Sequence, residues 1–180
     1  MAHYLRTGQE RCYDAEGAVV ACAATGQDGE LRPGEPWPCP RFEVLGESVR
    51  DRATGLIWSR TANCAGWPLT GDETGAWLAG LNRDEFGGHR DWRLPNRREL
   101  LSLVSHQERE PALPAGHPFT GVFLGWYWSG TPTARHPGQS WALQITGGGI
   151  IPFVVIQVIA VLLVALFPGI VSTLPALAQR

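Results

Sequence analysis

The chain has 180 residues, 44% of them apolar, and a formal net charge of −2. That length holds one domain plus extensions rather than two domains, and so even a balance excludes a broad electrostatic field for nucleic acid or anionic lipid. Every fixed cation is an arginine: residues 1–149 carry 14 against 17 carboxylates, which leaves −3, and Arg180 is the single charge of the last 31 residues.

Residues 1–40 are rich in turn formers, in "DAEG", "TGQDGE" and "RPGEPWPCP". The apolar run Ala18–Ala21 lies between Cys12 and Cys22, which predicts a hairpin-like arm closed by a Cys12–Cys22 bridge. The four cysteines, Cys12, Cys22, Cys39 and Cys64, fit no zinc spacing. An even count in a small, loop-rich segment predicts disulfides, with Cys39–Cys64 as the second pair. The first twelve residues lack the apolar stretch of a signal peptide, so either a leader has been removed or the chain stays inside.

In "FEVLGESVRDRATGLIWSR", Val49 and Asp51 alternate, "ATG" turns the chain and "LIWSR" runs apolar, which predicts a β-hairpin. "TGDETGAWLAGLNRD" predicts a helix capped by Thr70 or Asp72, with Trp77, Leu78 and Leu81 on one face. In "DWRLPNRRELLSLV", Trp92 and Leu94 alternate with Asp91 and Arg93 as in a short strand. Asn96 and Glu99 then form a capping box for a helix with Leu100, Leu101 and Val104 on its apolar face. "WYWSG" and "SWALQI" read as strands, the second placing Trp141, Leu143 and Ile145 on one face. The fold class is therefore α+β, with short antiparallel strands, two short helices and long loops.

No histidine of His89, His106, His117 and His136 belongs to a nucleophile–base pattern. The carboxylate pairs at 72–73 and 84–85 suit helix ends, and the glycines of "TGGGI" lack the Lys-Ser/Thr of a phosphate loop. These residues predict no catalytic site, no metal site and no cofactor. Binding is the better class. Arg97 and Arg98 stand in the first turn of a helix, where positive charge opposes the macrodipole at a cost of about 0.3–1 kcal/mol each. With His89, Arg90 and Arg93 they place five cationic groups within ten residues. Two readings follow: an anion site for acidic or sulfated glycan, or ion pairs to Asp91, Glu99 or Glu108 on a solvated face. The loop "GTPTARHPGQ" offers a second candidate surface in Thr131, Thr133, Arg135, His136 and Gln139. Trp126, Trp128 and Trp141 read as core more readily than as sugar platforms.

Between Ile150 and Phe167 there is no charge, and Gln157 is the only strongly polar residue. Eighteen helical residues span about 27 Å, close to the ~30 Å of a bilayer core. A helix apolar on every side suits lipid better than a small domain. The expectation is an N-terminal arm over 1–40, a domain over 41–146, a glycine hinge over 147–149, a transmembrane helix over 150–168 and a short tail over 169–180. A buried helix that completes the domain is the competing reading.

The blocks "VRDRATGLIWSR", "DWRLPNRRELLSLV", "YWSGTP" and "SWALQI", in this order, resemble the Lcl C-terminal domain family of bacterial surface proteins over about residues 10–149. The resemblance implies a C-type-lectin-like fold, related in architecture to the formylglycine-generating enzymes, and a role in adhesion or sulfated-glycan binding. Those enzymes need a late pair of reactive cysteines, and this chain has no cysteine after Cys64. The family's returning last strand is missing from the pattern. Residues 150–177 resemble the final membrane helix of the large permease subunit of TRAP transporters. Together these imply a non-enzymatic cell-envelope binding or adhesion module with partners in the lipid bilayer and acidic glycan. It would cross a bacterial membrane once, with its domain on the periplasmic or extracellular side. The alternative is an accessory subunit held to another membrane protein by its C-terminal helix, and a fainter reading is a hypervariable binder on a lectin-like scaffold.

Overall fold

A computed structural model describes residues 4–66, 69–136 and 138–152. The elements in chain order are β1 (Cys12–Tyr13), β2 (Val19–Val20), α1 (Asp28–Leu31), β3 (Phe42–Leu45), β4 (Ser48–Asp51), β5 (Ile57–Ser59), α2 (Gly71–Arg83), a 3-10 turn (Phe86–Gly88), α3 (Arg97–Ser102), β6 (Trp126–Pro132), β7 (Ser140–Gln144) and β8 (Gly149–Pro152). The strands form three antiparallel sheets in the orders β1-β2, β3-β4-β5 and β6-β7-β8. This is the small mixed α/β architecture expected, with one short helix, α1, beyond the two anticipated.

Both expected helices begin at the anticipated caps. The Thr70 side chain accepts from the Glu73 N–H and the Glu73 carboxylate reaches back to the Thr70 N–H, so α2 starts on a full capping box. Asn96 and Glu99 repeat the device at α3. Such caps satisfy amide N–H groups that have no partner inside the helix.

The core joins Val49 of β4, Leu100 and the following Leu103 and Val104, the loop residues Ala112, Leu113 and Phe119, and Leu143 and Ile145 of the last sheet. Leu143 of β7 and Ile145, just past its end, are both buried in this core. Beside this core Arg41 meets Asp51 through two hydrogen bonds, at 3.1 and 2.8 Å, and its Nη2 donates to the Ser102 carbonyl at 2.5 Å. Both residues are buried, Asp51 completely.

The arm is part of the domain. The Gln107 side-chain Oε1 accepts from the N–H groups of Glu10 and Arg11, its Nε2 donates to the Tyr13 hydroxyl, and the His106 N–H donates to the Thr7 carbonyl. A boundary at residue 40 therefore falls inside one packed unit.

Four expectations are corrected. The stretch around Trp92 and Leu94 is not a strand: the Asn82 side chain takes both backbone bonds of Trp92, at 2.6 and 2.9 Å, as a neighbouring strand would. The hairpin expected across Ala53, Thr54 and Gly55 is present as β4 and β5, and β3 extends it to a three-stranded meander because Gly46, at φ +67°, turns the chain between β3 and β4. Cys12 and Cys22 are bridged, but Cys39 and Cys64 are free thiols; the Cys64 sulfur instead lies 3.2 Å from Ser59 Oγ and 3.0 Å from the Thr61 carbonyl. The glycines 147–149 do not form a hinge. Gly148 is buried at φ +74°, where an added Cβ would press on Val104, and its N–H donates to the Gln144 carbonyl. This tight turn returns the chain as β8, which pairs with β7 from Gln144↔Gly149 to Trp141↔Pro152. Ile150, Ile151 and Pro152, expected to open a membrane helix, are thus strand. The rest of that expected helix, 153–168, and the tail 169–180 lie outside the described residues. Among the described residues no helix is long and apolar enough to cross a membrane.

Candidate functional site

The start of α3 is tied to the end of β6. The Gly130 N–H donates to the Pro95 carbonyl at 2.7 Å, and the Arg97 N–H donates to Thr131 Oγ1 at 3.0 Å. The Asn96 side chain accepts from the N–H groups of Arg98 and Glu99, at 2.9 and 3.0 Å. The amides of this first turn are thereby used up within the protein, so an anion arriving here must be met by side chains.

The five clustered cations divide. Arg90 is paired with Glu85. Arg93 makes a two-pronged contact with Glu99, at 2.8 and 2.7 Å. Those hydrogen bonds hold the Glu99 carboxyl below its ordinary value, burial opposes them, and the Asn96 N–H adds to the lowering. His89 sets its ring edge against Trp92 at 5.7 Å. The ion-pair reading therefore holds for Arg90 and Arg93. Arg97 and Arg98 differ: among the described residues neither meets a carboxylate. The Arg97 guanidinium lies 4.8 Å over the Trp141 ring, and Arg98 is exposed.

The second candidate surface also divides. Thr131 supports Arg97 as described. Thr133 is buried, donates to the His136 carbonyl at 2.8 Å and accepts the His136 N–H at 3.1 Å, so its hydroxyl closes the loop instead of facing a ligand. The Gln139 backbone donates to the His136 carbonyl and accepts from the Thr133 N–H. Arg135 and His136 are exposed on the loop. The structure thus brings Arg97, Arg98 and Thr131 to one place and adds Trp141, which the sequence assigned to the core. Trp141 is half-buried at the end of β7 nearest α3, and only the strand register shows that a cation can cover its ring.

Two open concavities lie elsewhere. One, about 310 Å³, runs between the arm and the segment 105–108 and includes Arg6, Trp37 and Gln107; the other, about 410 Å³, includes Glu47, Arg60 and Cys64. Among the described residues no group of three or more His, Cys, Asp or Glu side chains could hold a metal.

The site is thus an arginine over an indole, beside a second exposed arginine, in a small α/β domain. The match to known families agrees with the blocks quoted above: residues 47–164 match the Lcl C-terminal domain, and the chain belongs to that family. Membership suggests a cell-surface-related domain. The matched span leaves out the arm and runs on into the apolar segment that follows β8. No curated protein and no solved structure matches the chain.

Proposed function

We propose that this protein is a non-enzymatic, membrane-anchored binding module of the cell envelope. Its domain would have C-type-lectin-like architecture and would recognise acidic or sulfated glycan through Arg97 and Arg98. One observation carries the reading: the Arg97 guanidinium lies over Trp141, with the Arg97 backbone N–H held by Thr131, yet it meets no carboxylate among the described residues. A guanidinium so placed has lost side-chain freedom and keeps its forked donors for a sulfate or carboxylate. Trp141 offers an apolar wall beside it, as amphipathic sugar rings require.

The Cys12–Cys22 bridge supports a domain on the oxidising, outer side of the membrane. Attachment would fall to the uncharged run after β8. A helix over residues 153–167 would span about 22 Å, short of the ~30 Å core, so a crossing would continue past Pro168 and Gly169, which membrane helices tolerate.

The test is chromatography of the detergent-solubilised full chain on heparin-like resin. Replacing Arg97 and Arg98 by Gln should lower the eluting salt concentration and leave the melting temperature unchanged. Equal elution salt for both proteins defeats the reading.

A further inference from the structure

The chain leaves the described fold beside this same site. Pro152, the last residue of β8, is the register partner of Trp141. Directly opposed residues of neighbouring antiparallel strands project to the same face, with Cβ atoms about 5 Å apart. Arg97 covers the Trp141 ring, and Arg98 follows it on α3. Phe153, the next residue of the chain, continues an uncharged run. If that run enters a bilayer, the site lies at the depth of the lipid headgroups, where Trp and Arg are favoured because each combines an apolar body with a polar tip.

We infer that Arg97 and Arg98, with Trp141 as the apolar contact, bind the phosphate of an anionic lipid headgroup in the bilayer that carries the chain. This rests on the membrane attachment proposed above and gives the same site a second, membrane-borne ligand. The charge chemistry is complementary: two guanidiniums without carboxylate partners among the described residues meet the negative charge of a phosphodiester. With a net charge of −2 the protein supplies no broad attractive field. The lipid preference therefore comes from these two side chains, each worth about a fivefold preference near an anionic surface. Arg90 and Arg93 add little, because Glu85 and Glu99 already hold them.

The full chain is reconstituted into vesicles of two parts phosphatidylcholine to one part phosphatidylglycerol and re-extracted in mild detergent, and the lipids that remain bound are weighed by mass spectrometry. Wild type should be enriched severalfold in phosphatidylglycerol over the vesicle ratio. The Arg97→Gln/Arg98→Gln protein should fall to that ratio, and the Arg97→Lys/Arg98→Lys protein should keep the enrichment, which shows that charge and not misfolding is read. Wild type at the vesicle ratio, or a Gln variant that stays enriched, overturns the inference. So does extraction of wild type from the vesicles by alkaline carbonate, since the chain is then not held in the bilayer. Heparin-resin retention, measured on the same proteins in detergent, fails or survives independently and decides the glycan reading.

Discussion

Arg41 and Arg97 each lie over a tryptophan ring, Arg41 over Trp37 at 4.5 Å and Arg97 over Trp141 at 4.8 Å. Arg41 belongs to the region where the arm meets the first three-stranded sheet. Its side chain is 5% exposed, and Asp51, wholly buried, neutralises it. Arg97 opens α3 beside the last sheet, is half-buried, and meets no carboxylate among the described residues. The stacking is shared, so stacking alone does not tell a structural cation from a binding one. What separates them is the counter-charge and the water: a desolvated guanidinium must be paired inside the protein, whereas one at the surface is stable unpaired and available to a ligand.

Removing the counter-charge should break this contrast most severely. Asp51→Ala leaves Arg41 buried and unpaired and also deprives the Ala53 N–H and the Thr54 hydroxyl of their acceptor. The expected loss is about 3–5 kcal/mol, read as a shift in the urea midpoint. An intact midpoint would mean that water reaches Arg41 and that the two arginines are alike.

The next effect acts on the arm that brings Trp37 to Arg41. The Cys12–Cys22 bridge closes a ten-residue separation, and reducing it should lower stability by about 2–3 kcal/mol. Alkylation of the unreduced, denatured chain should label two thiols, Cys39 and Cys64, and alkylation after reduction should label four.

At the surface pair the expected change is small. Arg97→Gln with Arg98→Gln should move stability by less than about 0.5 kcal/mol, as surface substitutions usually do, and removal of positive charge from the first turn of α3 works slightly in favour of the helix. A loss of several kcal/mol in thermal unfolding would place Arg97 with Arg41 as a structural residue.

Arg93 lies between these extremes, paired but 60% exposed, and pH tests it. Its partner Glu99 has a lowered folded-state pKa, so the pair's stabilising contribution is fully present above the unfolded carboxyl value of about 4.3. It is lost as pH falls through the lower folded value. The contribution should stay below about 1 kcal/mol because the pair is solvated. Acid titration of the melting temperature should therefore fall slightly more steeply for wild type than for Glu99→Gln.

The local devices were legible because they are written within four residues. Asn96 with Glu99 sets the start of α3, Thr70 is the one of the two expected caps that starts α2, and the alternation through Leu143 to Ile145 picked out two buried core residues. The apparent strand at Trp92 misled because a side-chain amide, that of Asn82, can occupy the place of a strand partner at a distance no pattern records. The run after Gly149 misled for another reason: a short apolar stretch has the same composition as a buried strand or the first turn of an apolar helix.

By itself the sequence determined the family blocks, the capped helices, the Cys12–Cys22 arm and the concentration of arginine before α3, all of which depend on spacing along the chain. Only the tertiary structure decided which arginines are already neutralised, that Asp51 is the partner of Arg41, that Trp141 lies under Arg97, and that β8 ends beside them. Those facts depend on strand register and on which loops meet across the fold. A one-residue shift in register would turn Trp141 to the opposite face of its sheet, and that register is held jointly by the Gly148 turn and by the burial of Leu143 against residues distant in the chain.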